Sequence, residues 1–300
     1  MGPQGAIGVF DSGIGGLSVL RHIRVALPDE NLLYFADSGF APYGDKPEAL
    51  ILARSLGIAE FLLKRGAKAL VVACNTATAV AIAPLRQRYP GLPLIGVEPA
   101  LKPAAQLTHS RTVGVLATSA TLASAKFRLL HQRIAADTGI RFLLQPCPRL
   151  ADRIEKGELR SAATAALIER YVLPLLDDGA DTLVLGCTHY PFVRPLIDDC
   201  LRRHGRPPVP MLDTGEPVTR QLTTLLRQGG LQRAAGAAGS VDGFASGSTD
   251  ELRAAFANLL QLVPPQVRID ATGAMEIEER LSTGRHHPPP GTEKAKSPVA

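Results

Sequence analysis

No run of apolar residues in this 300-residue chain approaches the roughly 18–20 positions that a helix needs to cross a bilayer. The amino end, Met1–Ile7, lacks the basic stretch and following apolar region of a secretory signal. A cytoplasmic protein with no membrane partner is the expectation. Cysteine is scarce as well. Cys74, Cys147, Cys187 and Cys200 contain no Cys-x-x-Cys pair, so a disulfide scaffold is excluded and free thiols are the simpler reading. The close pair Cys187 and His189 has no further ligands around it, so no structural metal is expected. Basic residues exceed acidic ones by five, yet they are spread without a dense block and aromatics make up only 5% of the chain. Nucleic acid is therefore not expected as the main partner. What is present, 45% hydrophobic and 20% charged residues, suits a globular protein with a sizeable core in one or two domains.

Short runs rich in Val, Leu and Ile alternate with longer amphipathic stretches up to about residue 262, the pattern of βα units around a parallel sheet. Strands are expected at Ala6–Phe10, Asn31–Ala36, Ala69–Ala73, Leu94–Val97, Thr112–Leu116, Arg141–Leu144, Thr182–Gly186, Val209–Leu212 and Val241–Ala245. Two of them end in nearly the same words. Val71-Val72-Ala73-Cys74-Asn75-Thr76 matches Val184-Leu185-Gly186-Cys187-Thr188-His189, each an apolar strand, a small residue, a cysteine and polar residues opening a helix. The fold class is thus α/β, with two similar domains of mostly parallel sheet and the active site in the cleft between them. Residues 1–97 with 211–270 form the first expected unit and 98–210 the second. The tail, residues 271–300, has too little apolar content to be fixed in place and is expected to be flexible.

A cysteine between a strand end and a helix start meets unpaired N–H groups and the positive end of the helix dipole, which favour thiolate. The pKa values of Cys74 and Cys187 are expected to fall on that ground. A lone strand-end cysteine is more often a small buried hydrophobe, but two in matching polar contexts reverse that weighting. Asp11 opens the glycine-rich turn Asp11-Ser12-Gly13-Ile14-Gly15-Gly16, whose backbone N–H groups are expected to hold an anion. Its glycines lack the dinucleotide spacing and no Walker lysine follows, so a carboxylate ligand fits better than a nucleotide. Asp37-Ser38 and the turn Pro42-Tyr43-Gly44 lie at a second acidic strand end. His189 is placed to share a proton or orient a ligand, although a lone histidine is more often structural. Thr118 and Thr121 either cap a helix or bind a ligand, Glu98 is a turn or site residue, and Glu155 reads as one charge on a solvated face.

Phe10-Asp11-Ser12-Gly13-Ile14-Gly15-Gly16, Asp37 with Pro42-Tyr43-Gly44, Ala73-Cys74-Asn75-Thr76-Ala77-Thr78, Gly96-Val97-Glu98-Pro99 and Leu185-Gly186-Cys187-Thr188-His189-Tyr190-Pro191 closely resemble, in order, the motifs of the glutamate racemase family. The match runs from about Ile7 to Leu260; Leu212-Asp213-Thr214-Gly215 fits only loosely. The resemblance implies a two-base mechanism without pyridoxal phosphate or any other cofactor, and no lysine lies in these strand-end motifs. By the same resemblance Cys74 deprotonates the D-enantiomer with help from Asp11, and Cys187 the L-enantiomer with help from His189 and Glu155. Ser12, Pro42, Tyr43, Gly44, Asn75, Thr76, Thr118, Thr121 and Thr188 match positions that hold the substrate, with Asp37 and Ser38 nearby. A homodimer and a supply of D-glutamate for peptidoglycan are also implied. The competing readings are an aspartate or related amino-acid racemase, since those carry paired cysteines too, and a thiol redox or amino-acid-binding protein without turnover.

Overall fold

The computed structural model describes residues 2–236 and 238–270; the expected tail over residues 271–300 lies outside the described residues. Among the described residues ten strands are formed: β1 (Ala6–Asp11), β2 (Leu32–Ala36), β3 (Ala67–Val72), β4 (Leu94–Gly96), β5 (Thr112–Ala117), β6 (Arg141–Pro146), β7 (Thr182–Leu185), β8 (Met211–Leu212), β9 (Val241–Ala245) and β10 (Arg268–Asp270). They make two sheets, ordered β10-β9-β2-β1-β3-β4 and β6-β5-β7-β8, and every pairing is parallel. The central strands are buried on both faces, as crossover helices require, so β1 and β5 are covered along their whole length. The nine expected strands all form, their ends shifted by two residues at most. β10 was not expected: Arg-Ile-Asp offers one apolar residue, and the pairing with β9 comes from backbone hydrogen bonds at a sheet edge.

The two sheets share a plan. In the first, β1 is flanked by β2 and β3, with β4 beyond β3; in the second, β5 is flanked by β6 and β7, with β8 beyond β7. Cys74 follows β3 and Cys187 follows β7, so the repeated words of the sequence sit at equivalent places. Gly8 in β1 and Gly114 in β5 also correspond. A Cβ on Gly8 would lie 2.7 Å from Leu70 Cδ2, and one on Gly114 would lie 2.8 Å from Leu183 Cδ2. Each central strand therefore needs glycine where the neighbouring strand's leucine packs across it. Apolar clusters cover both faces of each sheet, Ile7, Val9, Val71 and Leu222 on one side of the first and Phe10, Phe35, Phe61 and Val72 on the other.

At the amino ends of the strands, away from the cysteines, Lys68 Nζ donates to Glu30 Oε2 at 2.5 Å and to the Pro3 carbonyl at 2.6 Å. Glu30 Oε1 accepts from the Arg233 backbone N–H at 2.8 Å, which ties the late segment back to the first sheet. Both side chains are almost fully enclosed. Removing one partner strands the other charge out of water, which costs about 3–5 kcal/mol. Lys68→Met is accordingly expected to lower the unfolding free energy by about that amount in urea titrations. A loss below about 1 kcal/mol, the range of a surface pair, would contradict this reading of the pair.

Candidate functional site

The carboxyl ends of β1, β3, β5 and β7 converge where the two sheets meet, the edge at which open parallel sheets hold ligands. Cys74 is the N-cap of the helix Asn75–Arg88, and its sulfur accepts from the Ala77 N–H at 3.5 Å. The same sulfur lies 3.8 Å from Ser12 Oγ, which donates at 2.8 Å to Asp11 Oδ1. Asp11 Oδ2 accepts from Thr188 Oγ1 at 2.8 Å, a contact that crosses from one half of the molecule to the other. Asn75 Nδ2 crosses in the same way to the Gly186 carbonyl at 2.9 Å. The residues flanking the two cysteines are thus bonded to each other's half.

Cys187 has a different set of neighbours. Its sulfur lies 3.6 Å from His189 Nδ1, and His189 Nε2 is 2.7 Å from Glu155 Oε2. The Glu155 carboxylate in turn accepts the Ile14 N–H, at 3.0 Å and 3.2 Å to its two oxygens. Glu155 is therefore no charge on a solvated face. It crosses the cleft and occupies the glycine-rich turn, so the anion held by the Ile14 N–H belongs to the protein itself. Glycine is obligatory there: a Cβ on Gly13 would lie 2.2 Å from Glu155 Oε1, and one on Gly15 would lie 2.4 Å from His189 Nδ1.

Burial governs the electrostatics. Desolvation, then the negative charge of Asp11, pushes the Cys74 thiol far above its ordinary value, with Cys187 adding to the rise. The expectation of a lowered Cys74 pKa is corrected by this. The N-cap hydrogen bond from Ala77 does favour thiolate, but one such contact does not offset enclosure beside a carboxylate. Desolvation raises Asp11 as well, moderated first by the positive charge of His189 and then by the Thr188 and Ser12 hydroxyls. For His189, burial pulls the pKa down, yet hydrogen bonds and charge from Cys187 and Glu155 outweigh it and hold the imidazole well above its ordinary range.

The remaining sequence-derived positions gather around these two relays. Thr118 caps the helix Ser119–Ala123 through the Thr121 N–H at 3.2 Å, and its hydroxyl donates to Thr121 Oγ1 at 2.9 Å. Thr76 and Asn75 are buried, and the Asn75 Oδ1 atom has no hydrogen-bond partner among the described residues. Pro42, Tyr43 and Gly44 form a segment beside them, with Gly44 facing Thr118. Glu98 turns away to pair with Lys126 at 2.8 Å. A cavity of about 530 Å³ has Ser12, Pro42, Glu155 and His189 on its inner wall. Each cysteine is less than a tenth exposed. Three contributors gave no sequence signal: Tyr34, whose hydroxyl donates to the Gly13 carbonyl at 2.6 Å, Ser18, which donates to the Thr188 carbonyl at 2.8 Å, and Arg54. Glu169, Cys200 and His204 place metal-capable atoms together on two other helices, but Arg203 holds the Glu169 carboxylate at 2.7 Å.

Residues 7–222 match the model of the Asp/Glu/hydantoin racemase family. A protein of Ectopseudomonas mendocina (strain ymp) named glutamate racemase is 57% identical over 227 residues, 75% of this chain and 83% of that protein. The crystal structure of glutamate racemase isoform RacE1 from Bacillus anthracis is 30% identical and superposes with a TM-score of 0.77 over 89% of this chain and 97% of that one. The glutamate racemase of Francisella tularensis, in complex with D-glutamate, is 28% identical with a TM-score of 0.75 over 90% and 98% of the two chains.

The raised pKa of His189 fixes the sign of one pH effect. Stability from the charged imidazole is fully present below the unfolded value of about 6.5 and is lost as pH rises through the higher folded value. Glu155→Gln removes one support of that charge, so the wild type is expected to exceed this variant in urea midpoint most at about pH 6, with the gap shrinking towards alkaline pH. A gap that stays constant across the range would show that Glu155 does not act through His189.

Proposed function

The chain belongs to the Asp/Glu/hydantoin racemase family, and from that premise we propose that it interconverts L-glutamate and D-glutamate by two-base proton transfer between Cys74 and Cys187. The observation that carries the reading is the placing of two thiols at equivalent strand ends of two facing halves, each backed by its own carboxylate relay. One thiolate removes the α-proton; the thiol on the opposite face delivers its own proton to the α-carbon. Inversion follows, and the two cysteines exchange protonation states.

The relays divide the work. Burial beside Asp11 keeps the proton on Cys74, the acid form, while a protonated His189 supplies the counter-charge that a thiolate at Cys187 needs. With the proton held on Cys74, the L-enantiomer gives its α-proton to Cys187 and receives one from Cys74. In the reverse direction Asp11, through Ser12, receives the thiol proton of Cys74, and the protonated His189 gives Cys187 the proton that it delivers to the α-carbon. The α-ammonium finds a free acceptor in Asn75 Oδ1, and the carboxylates find hydroxyl and backbone donors among Ser12, Tyr43, Gly44, Thr76, Thr118, Thr121 and Thr188, with Pro42, which has no N–H, shaping the segment that presents Tyr43 and Gly44. Those donors stabilise the carbanion-like transition state as charge moves onto the α-carboxylate. Glutamate is favoured over aspartate because the relatives with high identity are named for it. No helix among the described residues is long and apolar enough to cross a membrane. Action in the cytoplasm, as a homodimer supplying D-glutamate for peptidoglycan, completes the reading.

In deuterated water, with neither metal nor pyridoxal phosphate added, L-glutamate is expected to racemise and gain α-deuterium. Cys74→Ser and Cys187→Ser should each lower the racemisation rate by about 10²–10⁴-fold, the usual worth of a positioned acid or base. Full activity in either variant, or absence of turnover in the wild type, would refute the proposal.

A further inference from the structure

Asp37, a member of the motif set, pairs with Arg54, which carried no sequence signal. Both side chains are completely buried. Asp37 Oδ2 accepts from Arg54 Nε at 2.8 Å and from the Tyr43 hydroxyl at 2.5 Å, while Oδ1 accepts from Arg54 Nη2. The guanidinium also stacks over the Phe40 ring at 3.7 Å, and its Nη1 has no partner among the described residues. A charge pair taken out of water is a weak source of stability, because desolvation consumes much of the attraction. What distinguishes this one is its geometry. The side-chain contacts it makes beyond itself, Phe40 on one side and the Tyr43 hydroxyl on the other, both fall on the segment between β2 and the helix Glu48–Lys64.

Tyr43 links that pair to the chemistry. Its ring is buried in the same apolar cluster as Cys74. Burial, then the charge of Asp37, holds the phenol well above its ordinary value, so it remains the donor in its bond to Asp37. The next residue, Gly44, lies against the other half: a Cβ there would be 3.9 Å from Thr118 Cβ. We propose that Asp37 and Arg54 are positioning residues, which act through Tyr43 to hold the Pro42–Gly44 segment in register with Cys74 on one wall and Thr118 on the other. This rests on the racemase reading of the site. The aspartate that looks from the sequence like a second cleft carboxylate is instead the anchor of a binding segment, and an arginine of the helix that follows is its counter-charge.

The test compares KM and kcat for L- and D-glutamate in Tyr43→Phe, Asp37→Asn, Arg54→Lys and the Asp37→Asn/Tyr43→Phe double variant, with thermal unfolding measured on each. Tyr43→Phe removes one hydroxyl and is expected to fold as the wild type does while KM rises about tenfold, with kcat changing less. Asp37→Asn should raise KM comparably, and the double variant no further than the larger single effect, since both changes break one chain of contacts. Arg54→Met, measured alongside, should raise KM as Asp37→Asn does, and Arg54→Lys should recover part of that loss. An unchanged KM in Tyr43→Phe, or single effects that multiply in the double variant, would overturn the inference. Should Asp37→Asn fail to fold, Tyr43→Phe decides alone. A wild type without turnover would instead remove the functional reading itself.

Discussion

The two halves are held in register by side chains that cross the cleft, and the site exists only because they do. Thr188 reaches Asp11, Asn75 reaches the Gly186 carbonyl, Ser18 reaches the Thr188 carbonyl, and Glu155 reaches the Ile14 N–H. Each contact ends on a residue that either opens the glycine-rich turn or flanks a cysteine. Neither sheet alone surrounds a ligand, because each contributes one thiol and one set of polar strand ends. Polar bonds made in such enclosed surroundings are costly to leave unmade, which gives the closed arrangement a defined geometry. It also gives it a reason to open, since a ligand that enters offers these groups new partners.

Enclosure sets the charges as well. Asp11, His189 and Glu155 lie within one hydrogen-bonded neighbourhood, with a single cation between two carboxylates. Burial alone would neutralise Asp11, and His189 and the hydroxyls of Thr188 and Ser12 act against that. Cys74 has no cation of its own, so enclosure keeps its proton in place. Both sulfurs sit at corresponding strand ends, and what separates them is an aspartate with a serine on one side against a histidine with a glutamate on the other.

Much of this was legible in the sequence because it depends on local pattern. The alternation of apolar runs located nine of the ten strands, and the doubled cysteine words identified equivalent places in two halves. Three things were hidden for physical reasons. Glu155 sits among charged neighbours on a short helix, and only the folded distance to Ile14 shows it to be enclosed. The direction of the Cys74 shift depends on how much water the fold removes, which a capping position does not record. Arg54 lies in the middle of an apolar helix 17 residues after Asp37, and their pairing is a fact of packing alone. β10 escaped notice because an edge strand can be held by backbone bonds with little apolar signal.

A reaction between mirror-image molecules calls for acid and base on opposite faces of one carbon, and under the proposed function the repeated half-fold meets that need. Repetition supplies two strand-end thiols in related frames. Exact equivalence would still fail, because the amino acid binds in one orientation, so its carboxylates and ammonium present different charges to the two walls. The thiol enclosed beside Asp11 and the thiol beside the Glu155-backed imidazole accordingly meet different charged neighbours. In the proposed reaction, a scaffold that is nearly symmetric and charges that are not let each direction start from a different thiol while the same pair of residues serves both.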